Sequence, residues 1–172
     1  MNHSKRAALR GATRLSGAVI AAVLCTACGF QLRGAATMPF KSLYAGFPDS
    51  SALGAEFKRT LRANGSATLL DKPEGAEARL NVITEAREKE IVGFSSTGRP
   101  REYQLRYRFR FQLLDAKGNE LIASTELLLR RDITTTDSQL AAKAQEEVIL
   151  YREMQTDMVQ QLLRRLAAAK PA

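Results

Sequence analysis

Residues 101–114 read REYQLRYRFRFQLL, and no other stretch limits the fold as strongly. Tyr103, Leu105, Tyr107, Phe109, Phe111 and Leu113 alternate with Gln104, Arg106, Arg108, Arg110 and Gln112. Side chains of a strand point alternately to its two faces. Such a segment is a long strand with one apolar face on a core and one polar face turned away from it. A turn sequence, DAKGNE, follows and folds the chain back into a hairpin. The returning strand is expected over 120–132, with Leu121, Ala123, Thr125, Leu127 and Leu129 inward.

The apolar face of this hairpin needs a cover. Two helices are read elsewhere. Over 51–63, Leu53, Phe57 and Leu61 recur every four residues; Ser50 or Ser51 is placed to cap the start, and Asn64-Gly65 to end it. From 137 onward, Asp137 is placed to cap a long helix whose stripe is Leu140, Ala144, Val148, Tyr151, Met158, Leu162 and Leu166, with Gln155 as a polar interruption. Short strands are read at 43–47 and 67–70, and a longer one from 76. There Ala78, Leu80, Val82, Thr84 and Ala86 are expected on one face, with Ile83 out of phase. The loop GFSSTGRP at 93–100 precedes the strong strand. The order βα, strands, long helix predicts an α+β fold, two helices packed on one face of a mixed, mostly antiparallel sheet of about four strands.

The start of the chain has a different character. Lys5, Arg6, Arg10 and Arg14, with no acid, precede a short apolar run at 15–24 and the small pair Thr26-Ala27. This is the pattern of an export signal, too short in its apolar part to span a bilayer, which takes about 20 residues. The two cysteines, Cys25 and Cys28, fall at its end. A redox pair would open a helix inside a folded βαβ context. A zinc site takes about four ligands, and the sole histidine, His3, lies in the leader. The reading that fits is a lipoprotein signal at 1–27, with a plain cleaved signal as the alternative; the cut falls after the small pair Thr26-Ala27 and before Cys28, which then carries the lipid that ties the protein to a membrane. A tether at 28–40 leads to a domain at 41–168. Gly29 after the cysteine, rather than Asp, points to the outer membrane by resemblance to the usual bacterial sorting pattern.

Removal of the leader takes four of the 26 basic residues, leaving 22 against 18 acids, a net charge of +4. That is too mild, in an exported protein, to suggest nucleic acid as a partner. The remaining chain has no His and, with Cys28 acylated, no thiol. Triads built on His are excluded, as are His-based metal sites. No carboxylate pair stands out for acid–base work, and no glycine-rich phosphate loop is present. No catalytic residue, metal or cofactor is assigned. On the polar face of 104–112, Arg106, Arg108 and Arg110 form a row with no acid among them. It reads as a solvated face or as a phosphate-binding ladder.

Four segments carry a resemblance. CGFQLRG at the lipidation site, EFKRTLRANGSATLLDK, REYQLRYRFRFQLLDAKGNEL and LAAKAQEEVILYREMQTDMVQQLLRRL follow in order. Together they resemble the LptE (RlpB) family of lipopolysaccharide-assembly lipoproteins. The resemblance implies a non-enzymatic protein of the outer membrane. It implies a plug inside a large β-barrel, LptD, that helps the barrel assemble, and binding of lipopolysaccharide on its way to the outer leaflet. It implies basic residues near the loop before the Glu-Tyr-Gln strand and at the start of the last helix. Lys143 matches the second; Ser96 stands at the aligned place of the first, with Arg99 and Arg101 close by. Outside the resemblance, two other classes stay open, a periplasm-facing lipoprotein that tethers the cell wall and a carboxylate-dependent hydrolase.

Overall fold

A computed structural model describes residues 37–135 and 140–170. In chain order the elements are β1 (Ser42–Gly46), α1 (Ala52–Asn64), β2 (Thr68–Leu70), β3 (Ala78–Phe94), β4 (Pro100–Asp115), β5 (Glu120–Thr134) and α2 (Leu140–Ala167). The sheet runs β2-β1-β3-β4-β5. β1 lies parallel to both β2 and β3, whereas β3, β4 and β5 form an antiparallel meander. The fold is α+β as expected, with five strands rather than about four, because the three residues of β2 pair with the start of β1.

The alternation of β4 decides where the core sits. Leu105, Tyr107, Phe109, Phe111 and Leu113 are wholly buried, and the residues between them are not. Phe47 stacks on Phe109 with ring centroids 5.6 Å apart and lies 5.5 Å from Phe57 of α1. Leu53, Phe57 and Leu61 of α1 and Met154, Met158, Leu162 and Leu166 of α2 close over the same cluster. α1 begins where Ser51 Oγ accepts the Gly54 N–H at 2.8 Å and stops at Gly65, which takes the left-handed φ of 61° that favours glycine.

Three expectations change in the structure. First, β3 does not hold one phase. A register shift between Val82 and Thr84 adds a residue and turns over every side chain that follows. Beyond it Glu85, Arg87 and Lys89, not Thr84 and Ala86, stand opposite Phe109, Tyr107 and Leu105 on the helix side. Second, an irregularity in β4–β5 pairs Leu113 with Ile122, leaving Ala123 exposed; Leu127 and Ile133 are the buried residues of β5. Third, the named α2 stripe is fully buried only from Met158 onward, with Met154 buried beside it although it is not part of that stripe. Ala144 and Val148 are exposed, because the helix outruns the apolar core and its first half lies over the polar stretch created by the β3 bulge. Asp137 and the side chain of Leu140 lie outside the described residues.

Candidate functional site

The strand directions divide the domain into two ends. β3 and β4 join at a distal tip, where α2 also begins; the chain enters β1 and both helices finish at the proximal end. The tip is a tight loop. Ser95 N–H donates to Arg99 O at 2.8 Å, and Gly98 N–H donates to Ser95 O at 2.9 Å with Gly98 at a φ of 77°. The Arg99 N–H donates to Ser95 Oγ, and the Ser95 and Thr97 hydroxyls are 2.9 Å apart. Thr135 fastens the end of β5 by donating its N–H to Arg101 O at 2.8 Å. These contacts enclose an open recess of about 250 Å³ lined by Ser95, Ser96, Thr97, Arg99, Pro100, Arg101 and Thr135. Hydroxyls beside guanidinium groups are donors suited to phosphate oxygens.

Next to this recess the surface is apolar. Ile91, Val92 and Phe94 of β3 are 49, 50 and 65% exposed. On α2, Val148 and Ile149 are similarly open. The first half of α2 is fixed along distal β3 by the Lys89–Glu147 ion pair at 2.6 Å and by Tyr151 OH donating to Glu88 O at 2.7 Å. The distal end therefore combines cations, hydroxyls and exposed hydrocarbon. The apolar part was not recognised in the sequence, although the charge-free run from Ile91 to Gly98 marks it.

Arg99 and Arg101 stand at the tip, and Lys143 in the first turn of α2 belongs to the same end, where its ammonium pairs with Glu146 at 2.6 Å. The arginine ladder is elsewhere. Arg106, Arg108 and Arg110 lie on the sheet face turned away from the helices, and neighbouring strands give each an acid. Arg106 pairs with Glu90, Arg108 with Glu88 at 3.2 Å and Arg110 with Glu126 at 3.1 Å. The arginine-bearing face of β4, which has no acid of its own over 104–112, is thus a charge mosaic once β3 and β5 are beside it. A single strand does not reveal this, since strand pairing puts carboxylates of β3 and β5 beside the arginines. Cys28 lies outside the described residues.

A second polar cluster sits between the layers. Glu85 accepts from Ser51 Oγ at 2.6 Å and from Tyr107 OH at 2.7 Å. Arg87 lies over the Tyr107 ring and donates to Gln155 Oε1 at 2.6 Å; Gln155 in turn donates to Glu56. Burial first, and then Glu85, keep the Tyr107 hydroxyl well above its ordinary pKa of 10.0, while its hydrogen bond from Arg87 opposes them. Gln155, a flaw in the α2 stripe on sequence grounds, is the residue that joins both helices to the sheet. The Glu85 carboxylate, the Tyr107 and Ser51 hydroxyls and the Gln155 amide are all hydrogen-bonded, and the cluster reads as a clasp that joins the layers. Among the described residues no group of His, Cys, Asp or Glu is arranged to hold a metal, and no helix is long and apolar enough to cross a membrane.

Comparison with known proteins gives the chain a family. Residues 40–166 match the LptE model, described as lipopolysaccharide-assembly. No curated protein sequence matches. The solution structure of an uncharacterized lipoprotein B from Nitrosomonas europaea is 38% identical, covers 81% of this chain and 91% of its own, and superposes with a TM-score of 0.71. The rare lipoprotein B of Shewanella oneidensis is 23% identical over 74% of this chain and 92% of its own, with a TM-score of 0.62. A minor lipoprotein of Acinetobacter baumannii is 23% identical over 78% and 99%, with a TM-score of 0.61. The last two share the fold. The family match spans the sheet, both helices and the tip loop, and this chain belongs to the LptE lipopolysaccharide-assembly family.

Proposed function

We propose that the protein is an outer-membrane lipoprotein, anchored through Cys28, that plugs and helps assemble an LptD-type β-barrel and meets lipopolysaccharide at its distal tip. The observation that carries the ligand part is the composition of that tip. Arg99, Arg101 and the Ser95, Ser96 and Thr97 hydroxyls adjoin exposed Ile91, Val92 and Phe94. A phosphorylated, acylated glycolipid presents anionic and hydrocarbon parts side by side, and each finds its counterpart here. Lys143 adds a cation at the same end. Arg106, Arg108 and Arg110 have a lesser part in direct binding, because their row runs along the sheet face turned away from the helices and does not line the recess. Their mosaic face, polar and charge-balanced, suits the polar wall of a barrel lumen.

The residues do nothing covalent in this reading. The tip loop presents cations, and the Lys89–Glu147 ion pair with the Tyr151 hydrogen bond to Glu88 holds the first half of α2 along β3, so that Lys143 and the Arg99–Arg101 recess share one end. The test is binding of purified lipopolysaccharide to the parent and to a variant with Arg99, Arg101 and Lys143 changed to Asp. Binding should weaken by about tenfold or more and fall with added salt. Equal binding by a folded variant removes the tip as the ligand site. The barrel part is tested by isolating native complexes. A large β-barrel should copurify, whereas peptidoglycan as the sole companion would favour the cell-wall tether.

A further inference from the structure

The cations of the helix layer are unevenly placed. Beyond Phe57, α1 carries Lys58, Arg59 and Arg62 and no acid; beyond Met158, α2 and the residues after it carry Arg164, Arg165 and Lys170 and again no acid. The acids of both helices, Glu56, Glu146, Glu147, Glu153 and Asp157, all come earlier. Lys58 is half-buried and the other five cations are exposed. Side-chain ion pairs of the described residues involve none of the six.

Topology brings the two basic segments to one end. Both helices run antiparallel to β3. α1 returns the chain between the parallel strands β1 and β2, and α2 passes Lys89 at Glu147 and then Arg87 at Gln155, heading toward the start of β3. The exit of α1 adjoins the entry of the chain, since Thr68 N–H donates to Lys41 O at 2.8 Å. The acids at this end, Asp71, Glu74, Glu77, Asp115 and Glu120, are in loops of the sheet layer or at strand ends. Attraction to the helix dipole accounts for cations in a last turn only. Lys58 and Arg59 precede the last turn of α1, and Lys170 follows the end of α2.

We propose that this proximal, helix-layer end docks on the anionic phospholipid headgroups of the membrane that carries the lipid on Cys28. The inference rests on the reading of Cys28 as the anchor. Cys28 is nine residues before Thr37, a connection that reaches about 30 Å at most, so the basic end stays within a short distance of the leaflet. A lipid anchor and a basic patch together fix orientation, which an anchor on a tether does not. Docked this way, the 16 residues of β4 hold the tip about 50 Å from the surface, turned away from the leaflet before any barrel is met.

The test uses the mature lipidated protein in vesicles of phosphatidylcholine alone or mixed with phosphatidylglycerol. A fluorophore is placed through Ala168→Cys or, separately, Ser96→Cys, and quenched by a lipid with a headgroup-borne quencher. Quenching at position 168 should be at least about threefold greater in the anionic vesicles and should return to the neutral level in about 0.5 M salt. Position 96 should be unaffected. Changing Arg59, Arg62, Arg164 and Arg165 together to Gln should abolish the difference. Equal quenching in both lipids, or a Gln variant indistinguishable from the parent, overturns the proposal; a merely structural role in capping the helices predicts lower thermal stability with quenching unchanged. Salt sensitivity of the parent decides the matter should the fourfold variant misfold. The anchor reading fails separately, as absence of the protein from neutral vesicles. The unlipidated chain should then still sediment with phosphatidylglycerol vesicles, and failure to do so overturns the docking surface itself. Capture by an acidic polypeptide without any response to phosphatidylglycerol would also reject the membrane as the partner.

Discussion

Replacing Tyr107 by Phe tests whether the interlayer clasp is a coupled unit. The substitution keeps the ring in a fully buried site and removes only the hydroxyl, which donates to Glu85 at 2.7 Å. A hydrogen bond to a charged group is worth about 1.5–3 kcal/mol. Glu85 is only half-buried, so water takes over part of the role and the loss belongs near the lower end, about 1.5 kcal/mol. For a domain of this size that lowers Tm by roughly 5 °C. Glu85→Ala costs more, about 2–3 kcal/mol, because it strands both the Tyr107 and the Ser51 hydroxyls. The double variant should lose less than the sum of the two, with a coupling of about 1 kcal/mol in a denaturant-melt cycle. Strict additivity, within about 0.3 kcal/mol, would show that the two groups act independently and would refute the account of how α1, α2 and the sheet are joined.

Three further outcomes follow from the same structure. Because Tyr107 has its pKa raised by burial, its contribution is complete below the unfolded-state value of 10.0 and is lost as pH climbs beyond it; alkaline unfolding should be less steep in Tyr107→Phe than in the parent. Gly54→Ala should destabilise by about 1–3 kcal/mol despite alanine's better helix propensity, since its Cβ would come within 2.5 Å of the Phe47 Cβ, and an unchanged thermal melt would contradict that packing. Changing Arg106, Arg108 and Arg110 to Glu should destabilise the domain, through repulsion with Glu90, Glu88 and Glu126, whereas the Gln set should fold and bind lipopolysaccharide within about threefold of the parent; a much larger loss in the Gln set would restore the ladder as a direct site.

The elements legible in the sequence were those set by local rules. The alternation of residues 103–113, the four-residue spacing of Leu53, Phe57 and Leu61, and the Ser51 and Gly65 caps each depend on a few neighbouring side chains, and each is found in place. Arg99 and Arg101 were named through the family resemblance, as basic residues close to the loop before β4, and both line the recess at that loop. What pairing decides could not be read from one strand. The bulge at Ile83 depends on how β3 fits β4, and it turns Glu85, Arg87 and Lys89 toward the helices. The arginine ladder owes its acids to β3 and β5, which supply them from up to 20 residues away along the chain but one strand away in the sheet. Gln155 looked like an error in a stripe until a bulge 72 residues earlier supplied its partner. Periodicity reports what each segment buries, whereas charge balance and the joining of layers are properties of neighbours brought together only when the chain folds.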